Sequence, residues 1–435
     1  MRNAFFLILL LAISVNAQEK VILDTDPSYD PDDAGCIAML HTLATNGECQ
    51  ILAIINSTNQ KESSLCISGI NYYYHRKAIP VGDYKGYAEK INATENTYDY
   101  HIAKDYPREI STWEETLDGV KLYREILESA EDTSITVVIV GTMHNFYALL
   151  RSEPDELSAK TGVELVAQKV KLVATMGGNF LSNKGFDRTN WGGSEKLCSY
   201  TEWSCLNEER NRMCRYVIEN CPAPFMASGW ENGNGDYDGA ENGNVMSGQG
   251  LKKLPEDHII RKSYEKHFEY RGGAGSITRH SNDQCALHYA IRGAGENYTA
   301  FVNGKITLTE SGECSWDAST NRKQGHIQKK REDQLIAAEI EALMMGDVPP
   351  LDTSPPSSPQ DLRLASKNDR FQLTWSASTD TTRGSWVVGY QIHKDGQLLK
   401  MAFGTRANID DPDAKYEVKA VNASGTVSSS STVTR

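Results

Sequence analysis

Residues 21–34 read Val-Ile-Leu-Asp-Thr-Asp-Pro-Ser-Tyr-Asp-Pro-Asp-Asp-Ala: a short apolar run, five carboxylates within ten residues, then the start of a helical pattern. An apolar run that meets turn residues this abruptly predicts a strand buried on both faces, the kind found in parallel sheets. Acids after it suit a turn and the first turn of a helix beginning near Ala34. So many like charges at one strand tip repel each other unless a cation joins them. Hard oxygen donors from several directions suit Ca2+, which takes about six to eight oxygens, better than Zn2+.

Further strand-like runs at Ile51–Ile55, Thr136–Val140, Val170–Thr175 and Phe225–Ala227 alternate with helical patterns as far as residue 345. This alternation predicts an α/β fold with a mainly parallel open sheet and flanking helices. Each strand ends in polar residues: Asp24-Thr25-Asp26, Asn56 to Asn59, Gly141 to Asn145, Met176 to Asn179, and Gly229-Trp230-Glu231. In such sheets ligands bind beyond the carboxyl ends of the strands, so these tips should share one crevice. Asn232 to Gly239 imitates the start of a calcium-binding EF-hand loop, but the closing Glu would fall at Val245, which leaves a Gly/Asn-rich lid beside the site.

An amphipathic helix over 332–345 closes this unit, residues 18–346. The Pro-rich stretch 347–358 cannot continue it and predicts an extended linker. Beyond it, residues 359–435 alternate in strand fashion with turns at Lys394-Asp395-Gly396 and Asn422 to Gly425, predicting a small all-β sandwich.

Residues 1–17 carry one Arg, an apolar run and Val15-Asn16-Ala17, the parts of a cleaved signal peptide that directs the chain to a secreted or periplasmic location. Past it no run approaches the roughly 20 apolar residues of a membrane span. A formal net charge of -13 disfavours nucleic acid and anionic membranes as partners and favours a small neutral or cationic ligand. Cys198, Cys205, Cys214 and Cys221 could form two bridges in an oxidising compartment, while Cys36 and Cys285 read as core residues. Four glycosylation sequons fall at Asn56, Asn92, Asn297 and Asn422. Assembly into a homo-oligomer stays open.

On these motifs, residues 20–330 resemble the inosine-uridine-preferring nucleoside hydrolase family, in particular its secreted branch. The family pattern Asp-x-Asp-Pro-Gly-x-Asp-Asp-Ala is matched by Asp24-Thr25-Asp26-Pro27 and Asp32-Asp33-Ala34, with Ser28 replacing the Gly and two residues inserted. Supporting blocks are Ile51 to Asn59, Ile139 to Asn145, Met176-Gly177-Gly178, Glu202-Trp203-Ser204 and Ser281 to Gln284. The resemblance implies Ca2+ held by Asp26, Asp33, Asp283 and the main-chain carbonyl of His144, with Asp26 as general base toward the attacking water. It implies that Asp32, Asn59 and Glu202 grip the ribose hydroxyls and that Met176, Ser204 and Asn282 complete the substrate site. The implied reaction is hydrolysis of a ribonucleoside to ribose and free base.

Two positions depart from the pattern. Ser204 stands where Asn is common, and Asn282 stands where a His helps protonate a departing purine; His101 is the candidate to replace that His. These departures keep open a calcium-dependent hydrolase of another glycoside, or a non-catalytic sugar-binding module. The tail resembles a fibronectin type III module, with Leu362, Trp375 and Tyr390 at its core positions and Tyr416 at its tyrosine corner. That likeness implies a spacer or adhesion role through contact with polysaccharide or a cell surface.

Overall fold

A computed structural model describes residues 18–58, 60–86, 96–181, 190–192, 208–235, 243–273, 275–367 and 370–435. Its strands in chain order are β1 (Glu19–Thr25), β2 (Cys49–Asn56), β3 (Val81–Asp83), β4 (Leu117–Asp118), β5 (Ile135–Ile139), β6 (Val170–Met176), β7 (Phe225–Ser228), β8 (Met246–Ser247), β9 (Arg279–His280), β10 (Tyr298–Leu308), β11 (Cys314–Asp317) and β12 (Gln324–Lys329). The helices are α1 (Asp32–Thr45), α2 (Lys61–Tyr73), α3 (Tyr98–Asp105), α4 (Gly119–Ser129), α5 (His144–Leu150), α6 (Gly162–Lys169), α7 (Glu208–Asn220), α8 (Ile259–Tyr270), α9 (Asn282–Arg292) and α10 (Asp333–Met344).

One sheet of ten strands runs in the order β11-β10-β12-β7-β6-β5-β1-β2-β3-β4, parallel from β12 to β4. The chain builds outward from β1 to β4, then returns to the other side of β1 with β5 and continues through β6 and β7. The order therefore reverses between β1 and β5, and the carboxyl ends of those two strands flank the crevice such a reversal opens. The five strands expected from apolar runs are β1, β2, β5, β6 and β7, and the expected closing helix is α10. The antiparallel edge formed by β10 and β11 was not anticipated.

Helix α1 is buried along nearly its whole length, because it is enclosed by β2 and by helices α2, α8, α9 and α10. Past the acidic first turn the helix is apolar as far as Leu40, and His41, the polar residue buried beyond, is paired with Asn71. Two hydrophobic clusters cover the faces of the large sheet.

Residues 360–433 form strands β13 (Gln360–Lys367), β14 (Arg370–Ser376), β15 (Val387–Lys394), β16 (Gln397–Ala402), β17 (Arg406–Ile409), β18 (Tyr416–Asn422) and β19 (Ser431–Val433). They make a three-stranded sheet, β13-β14-β17, and a four-stranded sheet, β16-β15-β18-β19. Trp375 and Tyr390 meet edge to face in the core, Leu362 packs against it half-buried, and Tyr416 Oη donates to the Asp411 carbonyl at 2.7 Å. That last bond is the tyrosine corner expected at Tyr416.

The segment before β13 has no regular secondary structure, yet it does not hold the sandwich at a distance. Pro349 O accepts from His75 Nδ1, and buried Asp352 accepts from Asn422 Nδ2 at 2.9 Å. The sandwich itself docks on the large domain. Trp386 is 4% exposed, its Nε1 donates to Ile51 O at 3.1 Å, and the Arg76 guanidinium lies over its ring while donating to Gly384 O. Val388, Val421 and Ala423 join the hydrophobic cluster of the large domain. A cavity of about 200 Å3 between Lys20, Gln50 and Ile135, near the starts of β1, β2 and β5, and Val388, Tyr390 and Phe403 marks the contact. The sandwich thus sits at the amino ends of the central strands, opposite the crevice.

Asn56, Asn297 and Asn422 are buried and donate inward to Asp83, Glu339 and Asp352, so a glycan at any of these sequons is incompatible with this fold; Asn92 lies outside the described residues. Cys221 is a buried free thiol turned toward the Ala223 carbonyl, so the two bridges that the four clustered cysteines could form are not both made in this structure. Cys198, Cys205 and the signal segment 1–17 lie outside the described residues. Cys36 and Cys285 are buried free thiols, as expected.

Replacing Trp386 by Ala should cost about 3 kcal/mol or more, the loss typical of truncating a buried aromatic, and should split one unfolding transition into two. Denaturant titration followed by tryptophan fluorescence and circular dichroism checks this. A variant that unfolds like its parent would show that the sandwich rides independently.

Candidate metal centre and active site

Helix α1 begins with Asp32-Asp33 and α9 begins with Asn282-Asp283. The two amino-termini converge, each bringing unpaired backbone amides and the positive end of its dipole, the setting in which carboxylates are most easily tolerated. Carboxylate oxygens of Asp32, Asp33 and Asp283 lie within 4.8 Å of one another, and all three residues are buried. Gln284 Nε2 holds the two ends together by donating to Asp32 O at 3.1 Å and to Tyr264 Oη at 3.3 Å.

Two glycines permit this approach. A Cβ on Gly35 would lie 2.6 Å from both Gln284 Nε2 and Tyr264 Oη, and one on Gly233 would lie 2.1 Å from Asn282 Oδ1 and 2.9 Å from Asn282 Cα. Sequence reasoning passed over both, although Gly35 directly follows the Asp-Asp-Ala motif. Gly233 belongs to the expected lid, whose described residues are instead structural: Asn232 is fully buried and donates to Ile327 O. Residues 236–242 lie outside the described residues.

Strands β1 and β5 build the other wall. Asp33 Oδ1 accepts from Thr25 Oγ1 at 2.5 Å and from the Asp26 amide at 3.0 Å, which fixes that carboxylate. Beneath it Asp24, fully buried, accepts from Tyr123 Oη and Asn145 Nδ2, and Asn145 also donates to Asn56 O. Asp26 faces the 141–144 turn: a Cβ on Gly141 would lie 2.9 Å from Asp26 Oδ1. His144 starts α5 with its ring engaged by Thr142 Oγ1 at 2.6 Å. Met176 is buried at the tip of β6, with Asn190 Nδ2 3.3 Å from its sulfur.

The structure thus gathers Asp33 and Asp283 with Asp32, the acid the resemblance assigned to the sugar, and sets Asp26 beside them toward β5. Asn282 is buried at the mouth of α9. Asn59, Glu202 and Ser204 lie outside the described residues. His101 sits on α3 under the charges of Lys266 and Glu269 of α8.

Burial is the main influence on these acids. It pushes Asp26 up to about 6, against the opposing charge of Arg210. It raises Asp32, Asp33 and Asp283 well above the ordinary range, and repulsion by neighbouring carboxylates, Asp26 and Asp30 among them, raises them further. Burial, with help from Arg210, holds His144 down at about 3. Arg279 grips Asp30 through both carboxylate oxygens, and although burial works the other way its charge keeps Asp30 ionised. Neither Arg210 nor Arg279 stood out in the sequence. The converging groups are all hard oxygen donors that disfavour one another's ionisation, so the residues present fit a hard divalent cation.

No family model matches the chain. Over 76% of its length it superposes on a plant nucleoside hydrolase (TM-score 0.51, 15% identity, 99% of that chain) and on a purine-preferring ribonucleoside hydrolase from Gardnerella vaginalis (TM-score 0.54, 12% identity, 99% of that chain). An inosine-guanosine nucleoside hydrolase aligns over 75% of this chain and 98% of its own, at TM-score 0.51 and 17% identity. The fold is that of the nucleoside hydrolases. In sequence, 222 residues, 48% of the chain, are 26% identical to Chitinase A1 of Niallia circulans, of which the match spans 30%.

Without a cation these acids should make stability depend on pH. A carboxyl such as Asp26, raised from about 3.9 when unfolded to about 6 when folded, binds its proton more tightly in the native state. Stability is therefore lost as pH rises through that window. In chelator the melting temperature should fall between pH 4 and pH 7, whereas excess Ca2+ should flatten the decline and Asp33→Asn should abolish that calcium effect. Identical melting profiles with and without Ca2+ would refute a cation site here.

Proposed function

We propose that this chain is a secreted, calcium-dependent hydrolase that cleaves the N-glycosidic bond of ribonucleosides to ribose and free base. The observation that carries the reading is the group of Asp32, Asp33 and Asp283 at the β1/β5 reversal of a nucleoside hydrolase fold. Asp26, Asp33, Asp283 and the His144 carbonyl would hold Ca2+, with Asp32 alongside. Bound there, Ca2+ supplies Lewis acidity toward the attacking water and neutralises the crowded acids.

In this reading Asp26 takes the proton of the water, for which its position beside Asp33 and the 141–144 turn is suited. Asp32, Asn59 and Glu202 orient the sugar hydroxyls, and the negative charge of Asp32 and Glu202 favours the cationic sugar that forms as the bond breaks. Met176, Ser204 and Asn282 complete the substrate wall. The C-terminal sandwich serves as a fibronectin type III-like module. Docked at the end opposite the crevice, it leaves the substrate path open while it contacts polysaccharide or a cell surface.

Asn282 favours a second reading, cleavage of another glycosidic bond. Its amide can donate a hydrogen bond to a departing group but has no titratable proton to give.

Incubating the protein with Ca2+ and a panel of nucleosides, then measuring free reducing sugar, tests the assignment. Asp26→Asn should lower kcat by about 100-fold or more while leaving the circular dichroism spectrum unaltered; full turnover would remove Asp26 from the role of base. A p-nitrophenyl riboside should be cleaved much faster than inosine, and Asn282→His should narrow the gap. Equal rates on the two substrates would mean that another residue supplies the proton.

A further inference from the structure

The segment Ser28 to Pro31, which lengthens the acidic turn, is fastened from two directions. Arg279 Nε lies 2.8 and 3.0 Å from the two Asp30 carboxylate oxygens, and its terminal nitrogen donates to the same group. From α8, His267 bonds the Tyr29 carbonyl through Nδ1 at 2.6 Å, and the Tyr29 ring meets His267 and Tyr270 edge to face at 5.2 and 5.6 Å. Asp30 stands two residues before Asp32, with only the N-cap Pro31 between them, so whatever holds Asp30 also holds the entry into the first turn of α1, where Asp32 joins the acidic group. Arg279 lies on β9, four residues before Asp283, so the strand that leads into α9 also reaches across to α1.

We infer that Arg279 is a positioning residue: by its forked grip on Asp30 it sets the Asp32 carboxylate against Asp33 and Asp283 and so determines how well the site takes a divalent cation. A fork of two parallel bonds fixes direction as well as distance, which a point charge does not. The alternative is that Arg279 merely offsets the local negative charge. The two roles predict opposite signs. Deleting a cation beside an acidic site tightens metal binding by simple electrostatics, whereas releasing the residue that orients a ligand weakens it, typically by about 10- to 100-fold.

The proposal rests on the cation site put forward above, and the test separates the two. Calcium alone is titrated calorimetrically into the full chain, parent and variants. Arg279→Lys, which keeps the charge and loses the fork, and Arg279→Gln should both weaken binding by about tenfold or more, and Asp30→Asn should do the same. Tighter or unaltered binding in both Arg279 variants overturns the proposal. Asp33→Asn is the control for the site, since calcium binding that survives it counts against the metal reading and not against the grip. Amide hydrogen exchange over residues 26–35 of the metal-free protein, read by mass spectrometry, needs no cation. Exchange there should quicken in Arg279→Lys while helix α10 is unchanged, and unaltered rates overturn the proposal whether or not calcium binds.

Discussion

The structure depends on the meeting of two helix amino-termini. Asp32 and Asp33 open α1, Asp283 opens α9, and Gln284 ties one end to the other through the Asp32 carbonyl. Buried carboxylates are costly, and the least costly place for them is where backbone amides are unpaired and dipoles point inward. Nearly everything near the crevice serves that meeting: Gly35 and Gly233 let the chains approach, Thr25 fixes Asp33, and Asn145 and Tyr123 hold Asp24 below. The first turns of the helices bring the acids together, and the apolar run Ala34 to Leu40 that follows in α1 buries that end of the helix.

Charge inside this wall is balanced unevenly. Arg210 acts on Asp26 and His144, and Arg279 on Asp30 and Asp32, while Asp33 is raised by burial and Asp26, and Asp283 by burial, Asp32 and Asp33. A divalent cation would complete the balance where the arginines do not reach. Protonation offsets the cost of burying these acids at low pH, and a cation would do so where they are ionised.

The C-terminal sandwich belongs to the same mechanical unit. Arg76 is buried under Trp386 and bonds His41 O, Thr45 Oγ1 and Gly384 O, so one guanidinium joins α1, the end of α2 and the sandwich. A Pro-rich segment usually signals separation, but rigidity of the backbone says nothing about what its ends touch. Here the apolar face formed by Trp386, Val388, Val421 and Ala423 is buried against the large domain, and that decides the arrangement.

Much of this was legible in the chain because it is local. The five buried strands show as apolar runs, the strand-to-helix acidic turn as a motif within ten residues, and the tyrosine corner as Tyr416 through the tail's resemblance to a fibronectin type III module. Long-range pairing was not legible from pattern alone. Asp283, some 250 positions from Asp32 and Asp33, was set beside Asp33 only by the family resemblance, and nothing in the sequence pointed to Arg279 finding Asp30 across 249 positions or Trp386 finding Ile51 across 335. Periodicity and motif spacing report on neighbours along the chain, whereas these contacts arise from which helix ends and which domain faces the packing brings together, and that is decided only in three dimensions.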